Sequence, residues 1–496
     1  MKTTIKYMLA VAMVFSTGNA AAQNLSSAYF LDGYAQGHEL NPAKEYDRKG
    51  YFGLPLSNLN VGVKGNLNLK DVLYKNPNGT GLVTYLHPSI TSSEAMSGFS
   101  NNNKILSDMR FELLNVGFHA FKGYNTITLG VRSNVGANIP YDLFDLTKNL
   151  SNKNYDIKNF GATAIAYGEI GLGHSHQINK SWRIGGKFKI LVGGAYAKLK
   201  MDNLNLDLSG TNQWTATANA TVEAGVKGFT WGAPETKAYS PQYIAEHPGS
   251  PATYQQIDFD NIDIDKPGIN GFGAAFDLGM EWDLEKQFKV KGLKVSASIL
   301  DLGFIKWKNV SLAQNNGDPF VFDGFNDIKV KGGNGTDFDD QSDDLADRLA
   351  DMYRLQDGGK TSKATPLGAT MNIAVEYALP SYRHLKFGFL STTRIQGVYS
   401  WNEERFAVTV SPAKMFEVSG NFGVGTLGAN LGWILNFHPR GFSLFLGSDH
   451  CVGKLSKQGV PLRSNYDFCM GINYPIGKSR IEKKSSSSSS KSSSKK

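Results

Sequence analysis

The sequence predicts an all-β protein, a transmembrane antiparallel β-barrel of about 14 strands with long extracellular loops. Three observations lead there. Apolar and polar residues alternate in runs of about ten residues, the length a tilted strand needs to cross the hydrocarbon layer of a bilayer. The links between these runs are alternately short and long, a pattern a water-soluble sandwich has no reason to show. Glycine, 54 of 496 residues, and the aromatics are plentiful while charged residues are sparse, a mixture suited to many short strands.

The chain opens with Lys2 and Lys6, an apolar run from Tyr7 to Phe15, and Ala20, Ala21 and Ala22 before Gln23, the layout of a cleaved secretory signal over residues 1–22. No cysteine stands at that junction to carry a lipid anchor. Beyond it there is no window of about 18 consecutive apolar residues, so no transmembrane helix is available. Residues 23–56 precede the first long alternating run and form a separate periplasmic or lumenal N-terminal segment.

Residues 57–477 hold the barrel. From Leu59 to Leu69 the apolar and polar sides separate almost completely, and Phe272, Ala274, Phe276, Leu278, Met280 and Trp282 oppose Gly273, Asp277, Gly279, Glu281 and Asp283. A 3.6-residue period cannot produce that. Weaker copies follow, with Arg132, Lys187 and Lys189 on polar faces. Candidate strands rise at about 58, 124, 182, 291, 384, 415 and 441 and descend at about 108, 160, 268, 367, 403, 426 and 466. An even number places both termini in the periplasm. Two extracellular insertions stand out, at about 204–267 and 309–366. The first contains its own alternating runs and is expected to extend the neighbouring strands above the membrane. The second carries a short amphipathic helix over 342–356, with Ser342 as N-cap.

The formal charge of +8 suggests nucleic acid until it is located. Residues 478–496 carry +6, seven Lys and Arg against Glu482, and Lys2 and Lys6 supply the rest, so residues 23–477 are neutral and no case for nucleic acid survives. The Ser/Lys tail, 478–496, has nothing to bury and is expected to be disordered.

Few residues point to chemistry. Asp301 breaks the outward alternation of Val295, Ala297 and Ile299; a carboxylate facing lipid is costly, so a bulge should turn it inward, making Asp301 and Gly303 a candidate strand kink. Cys451 and Cys469 flank the last outer loop on inward positions and are a candidate disulfide in an exported chain. His174 and His176 share one strand face but lack a third ligand, which favours solvated rim residues over a metal site. Asp337, Asp339 and Asp343 resemble the start of a calcium loop, but Ser342 and Arg348 occupy the places of its Gly and bidentate Glu. Asp258, Asp260, Asp263 and Asp265 make an acidic edge that suits protection against strand pairing. No Ser, His and acid combination or phosphate-cradling loop stands out, so no enzyme activity, cofactor or metal is expected.

Three stretches carry a family resemblance: Tyr29-Phe30-Leu31-Asp32-Gly33 through Glu39-Leu40-Asn41-Pro42-Ala43, Gly50-Tyr51-Phe52-Gly53-Leu54-Pro55 leading into Leu59–Val63, and Ser298–Trp307. Over nearly the whole mature chain the sequence resembles an uncharacterised family of Bacteroidota outer-membrane proteins, the domain of unknown function numbered 5723. More distantly it is similar to the long-chain fatty-acid transporter superfamily, which includes barrels of the type IX secretion apparatus. The resemblance implies a 14-stranded barrel plugged or lined by an N-terminal segment with an Asn-Pro-Ala element. Asn41, Pro42 and Ala43 match it, which makes residues 23–56 plug-like. The expected function is an outer-membrane transport or channel barrel, with lipid around it and a small, hydrophobic compound as ligand. The alternative is a non-transporting scaffold that binds envelope or secretion proteins, and a further one has the basic tail tethering the barrel to anionic envelope polymers.

Overall fold

Alternation along the chain becomes a wall with an apolar outside and a largely polar inside. The computed structural model describes residues 25–477, apart from 78, 80, 150–152, 208–213, 239–243, 246, 247, 250, 259, 260, 316–319, 323–354 and 452–464. The secretory signal, residues 342–354 of the helix expected over 342–356, Asp260, Asp337, Asp339, Asp343 and the Ser/Lys tail lie outside the described residues, and Gln356, the last position of that expected helix, is strand instead.

Fourteen strands, labelled in chain order, form a closed antiparallel barrel among the described residues. They are β1, in two pieces (Gly50–Gly53 and Leu59–Gly65), β2 (Asn102–Ala120), β3 (Gly123–Pro140), β4 (Asn154–Gln177), β5 (Trp182–Asp207), β6 (Gly271–Asp283) and β7 (Leu293–Gln314). There follow β8, in two pieces (Gln356–Pro366 and Ala369–Ala378), β9 (Leu385–Ile395), β10 (Trp401–Ala413), β11 (Phe416–Gly425), β12 (Gly428–Phe437), β13 (Ser443–Ser448) and β14 (Tyr466–Ile476). The wall closes where β1 meets β14, Gly50 opposite Ile476 and Leu59 opposite Met470. Closure leaves no strand edge unpaired, which is what a bilayer demands of a sheet. Each of the fourteen candidate positions falls on a strand or within three residues of one. One piece differs: Gly50–Gly53 pairs with both β2 and β14 as wall, although the sequence leaves it in the N-terminal segment. Four residues are too few to display a period, and the chain then turns through Leu56, at φ +74°.

The outward face is apolar over a band. On β6 Phe272, Phe276 and Leu278 are each about half exposed while Asp277 between them is buried, and the same contrast runs through Phe406 and Val408 on β10 and Phe468 and Ile472 on β14. The strands are unequal. β4 and β5 run 24 and 26 residues, far more than the 9–11 a bilayer requires. Their upper parts carry exposed ion pairs, Asp156 with Lys158 and Lys200 with Asp202, and stand in water. There Trp214–Val226 takes over from β6, pairing with β5 (Ala195 opposite Val226) and with β7 (Ser311 opposite Ala224), which extends the sheet as the alternation in 204–267 anticipates. A second cluster at the same end packs Tyr85, Phe99 and Phe144 together, with Phe99 and Phe144 stacked at 3.8 Å.

Candidate functional site in the lumen

Polar inward faces do not here surround open water. The chain ahead of β1, from Leu25 to Lys49, lies inside the wall, and most of it is buried. Its contacts trace its course. The N–H groups of Ser26 and Ser27 each donate to the Asp449 carboxylate at 2.7 Å, just beyond β13. Tyr29 Oη meets Ser296 Oγ of β7 at 2.9 Å, and the N–H groups of Asp32 and Gly33 donate to Glu417 of β11 at 3.1 and 2.9 Å. Gln36 Nε2 donates to Asn473 of β14 at 2.8 Å. The Leu40 carbonyl accepts from Ser298 Oγ at 2.9 Å and Asn372 Nδ2 at 3.1 Å. Contacts to so many strands make the segment an internal cross-brace. Arg48 finally donates to the His438 carbonyl in the β12–β13 turn.

Asn41, Pro42 and Ala43 sit against β5, β6 and β7. Asn41 Nδ2 donates to the carbonyls of Met280 at 3.1 Å and Ala297 at 3.4 Å, while its Oδ1 accepts from Ala43 N–H at 2.9 Å, a local turn that fixes the bend. Two glycines admit it. A Cβ on Gly185 would come within 2.1 Å of the Pro42 carbonyl, and one on Gly279 within 2.1 Å of Asn41 Oδ1. Nothing larger than hydrogen fits at either place.

Beside this bend lies a buried ion network that sequence reasoning did not assemble. Glu39, from the segment, pairs with Arg110 of β2 and with Lys187 of β5 at 2.6 Å. Arg110 reaches Glu112 at 3.0 Å and Glu169 of β4 at 3.4 Å. Arg132 of β3 joins Glu169 at 3.0 Å to Asp301 of β7, where two nitrogens grip both carboxylate oxygens at 2.6 and 2.8 Å. Lys189 of β5 closes the chain, 2.6 Å from Asp301 and 2.7 Å from Asp277 of β6. Four cations therefore meet five carboxyls, and each strand from β2 to β7 supplies at least one. Burying so many charges is tolerable only because each has opposite charge in contact. The one legible signal was that Arg132, Lys187, Lys189 and Asp277 lie on polar faces.

Asp301 is where the wall itself is irregular. It has φ +60°, and Leu300 and Asp301 together oppose Asp277 alone, since Ile299 pairs with Leu278 and Leu302 with Phe276. This bulge faces the carboxylate inward, and Asp301 N–H donates to Asp277 at 2.7 Å. On its other side β7 pairs with one piece of β8 at Leu300 and with the other at Phe304, and between them the Leu367 N–H to Gly303 carbonyl bond, 2.9 Å, bridges the gap. Gly303 is confined too: a Cβ there would lie 2.2 Å from the Ala274 carbonyl. Next to the bulge a cavity of 30 Å³ is lined by Asp108, Arg132, Asn134, Asp301, Asn372 and Thr392. A larger one, 240 Å³, lies at the short-turn end among Lys44, Arg183, Glu281, Lys294 and Glu376. Both linings are mostly polar.

The cysteine expectation needs correction. Cys451 and Cys469 are free thiols, the first exposed and the second buried. Cys469 lies opposite Gly447 on β13, whereas Cys451 lies beyond the end of that strand and donates its N–H to the Leu431 carbonyl of β12 at 2.9 Å. His174 and His176 stack at 6.1 Å near the short-turn rim, and Nδ1 of His174 is 2.9 Å from Asn125 Oδ1. Asp263 and Asp265 are exposed, with Asp263 paired to Thr230 across a short ladder. Among the described residues no three His, Cys, Asp or Glu side chains gather as metal ligands.

Fold and site together define a closed membrane β-barrel whose interior is occupied by its own N-terminal segment. The chain belongs to a family of unknown function (DUF5723), whose model matches residues 42–449. No curated protein sequence matches it. Among solved structures it is similar to the toluene transporter TodX of P. putida (7% identity, 93% of this chain and 96% of that one, TM-score 0.39). It is also similar to the toluene transporter TbuX of Ralstonia pickettii (6%, 92% and 96%, TM-score 0.38) and to a FadL homologue of Pseudomonas aeruginosa (9%, 92% and 99%, TM-score 0.39).

Proposed function

We propose that this protein is an outer-membrane transport barrel for a small compound, held shut by Leu25–Lys49. The long-loop end faces the medium and both termini face the periplasm. One observation carries the reading: beside apolar packing of Phe30, Leu31 and Tyr34 against Leu390, Ile434 and Phe445, the segment is tied to the surrounding wall by hydrogen bonds and ion pairs to β2, β5, β7, β8, β11 and β14. Such bonds are each worth about 1 kcal/mol net, more where charged, so they are strong together and separable in sequence. The polar linings favour a compound with polar groups. The break beside Asp301 and Gly303 favours a second route, sideways through the wall, for an apolar one.

The test is conductance and uptake after reconstitution of the full chain. Wild-type protein should conduct rarely, and deletion of residues 25–44, with folding checked by heat-modifiable gel migration, should give steady pores. Equal conductance of the two would end the reading. The alternative, a scaffold, draws on the sheet extension around Trp214–Val226 that stands above the apolar band; a stoichiometric protein partner captured from membranes, with no solute flux, would favour it.

A further inference from the structure

The short-turn end of the barrel repeats one device. Every turn there sets an exposed cation beside an exposed large apolar residue: Phe121 with Lys122 between β2 and β3, Ile178 with Lys180 between β4 and β5, and Tyr382 with Arg383 between β8 and β9. Between β6 and β7 it occurs twice, Phe288 with Lys289 and Val290 with Lys291. Met415 follows Lys414 between β10 and β11, and Phe442 follows Arg440 between β12 and β13. Of the acidic residues nearby, Asp283 and Glu285 are matched to Lys286 and Arg383 at 2.7 Å, and Glu45 to Arg183 at 2.8 Å. The short links at the opposite end, 396–400 and 426–427, contain no charged residue.

One turn shows that this is not a by-product of loop composition. Phe121 and Lys122 are the two central residues of a hairpin closed by Ala120 and Gly123, and both have positive φ, +53° and +60°. That turn ordinarily takes Asn-Gly, and a bulky residue there is strained. Phe121 is nonetheless 83% exposed, so neither packing nor turn geometry accounts for it. An apolar group directed at the acyl region with a cation at phosphate height is the chemistry of a leaflet boundary.

We propose that the short-turn rim is a binding collar for anionic phospholipid, which engages the headgroups of the periplasmic leaflet and fixes the barrel's depth. This rests on the membrane-barrel reading above. The apolar half of each pair favours lipid over a soluble polyanion, which would use the cations alone.

The experiment reconstitutes the full chain, tail included, in vesicles of phosphatidylcholine with a minority of phosphatidylglycerol. Lipid retained after detergent extraction is then quantified by mass spectrometry. Phosphatidylglycerol should be enriched by a factor of about 5 or more over the bulk, the scale of a single cation near a charged leaflet. A variant with Lys122, Lys180, Lys289, Lys291, Arg383, Lys414 and Arg440 all changed to Gln should fold, shown by heat-modifiable migration, and lose the enrichment. Enrichment that persists in the variant overturns the collar, as does none in the wild type; capture on isolated peptidoglycan instead assigns the rim to a polymer and overturns it too. Failure of the wild type to insert in pure phosphatidylcholine vesicles would instead remove the barrel reading itself.

Discussion

Ser27 and Asp449, 422 positions apart in the chain, are joined twice, through the Ser27 N–H at 2.7 Å and the Ser27 hydroxyl at 2.5 Å. The same carboxylate also takes the Ser26 N–H. Bonds to a charged acceptor contribute about 1.5–3 kcal/mol. Asp449→Asn should therefore loosen the start of the segment while the wall stays closed. Limited proteolysis of reconstituted protein should cut near residues 25–31 faster in the variant, and an unchanged rate would show that the clamp is incidental.

Asp301 satisfies both Arg132 and Lys189. Asn tolerates the left-handed backbone at this position, so Asp301→Asn isolates the charge. It leaves two buried cations short of a partner, and the loss should be about 3–5 kcal/mol in urea unfolding from vesicles. A loss below about 1 kcal/mol would mean that water or a neighbouring carboxyl replaces the ion pair.

Gly279→Val and Gly185→Val test the fit of the bend directly. Each places side-chain carbon where Asn41 Oδ1 or the Pro42 carbonyl lies. The segment must move or the barrel must distort, and the proposed function requires the first. Conductance should rise in both variants toward that of the deletion, with folding retained. A folded variant that stays closed speaks against the segment as the closure.

Two histidines outside the strands give opposite pH slopes. Burial and then Lys64 draw His450 down, but hydrogen bonds to Asp467 and Glu403 outweigh them and raise its pKa above the usual 6.5. The folded state then holds this proton more tightly, so its stabilisation is complete below pH 6.5 and is lost as pH rises through the folded pKa. His438, packed over Gly33, is pushed down to about 4, chiefly by burial and then by Arg48. Its contribution is present above pH 6.5 and declines as pH falls toward 4. Urea midpoints should fall on both sides, with His450→Gln flattening the alkaline limb and His438→Gln the acid one. The reverse pairing would refute both assignments.

Free thiols make a simple check. Maleimide should label one cysteine, Cys451, in the folded protein and two in unreduced denaturant. No label in unreduced denaturant would restore the disulfide.

The wall was legible in the sequence because a bilayer imposes a period of two on every strand, and even Asp301's inward turn follows from the cost of a carboxylate in lipid. The lumen was not. Glu39 meets Arg110 and Lys187 only because β2 and β5 lie on one side of a cylinder, and no local pattern encodes that adjacency. Alternation assigns a residue to the inside but says nothing of its partner there. Gly50–Gly53 escaped for the opposite reason, being wall too short to show a rhythm. Cys451 and Cys469 were misjudged because Cys451 lies beyond the end of β13, where alternation no longer assigns a side, and is exposed while Cys469 is buried.

The barrel seam between β1 and β14 also sets an order of assembly. The stretch running from Leu25 to Lys49 is synthesised before any strand, yet it ends up enclosed by a ring that the final strand completes. Like a ship in a bottle, it has to be in place before the glass is sealed or be threaded in afterwards through an end crowded with turns. An affinity label grafted just ahead of Leu25 would have to share the same berth, which makes the opposite terminus the safer place to put one.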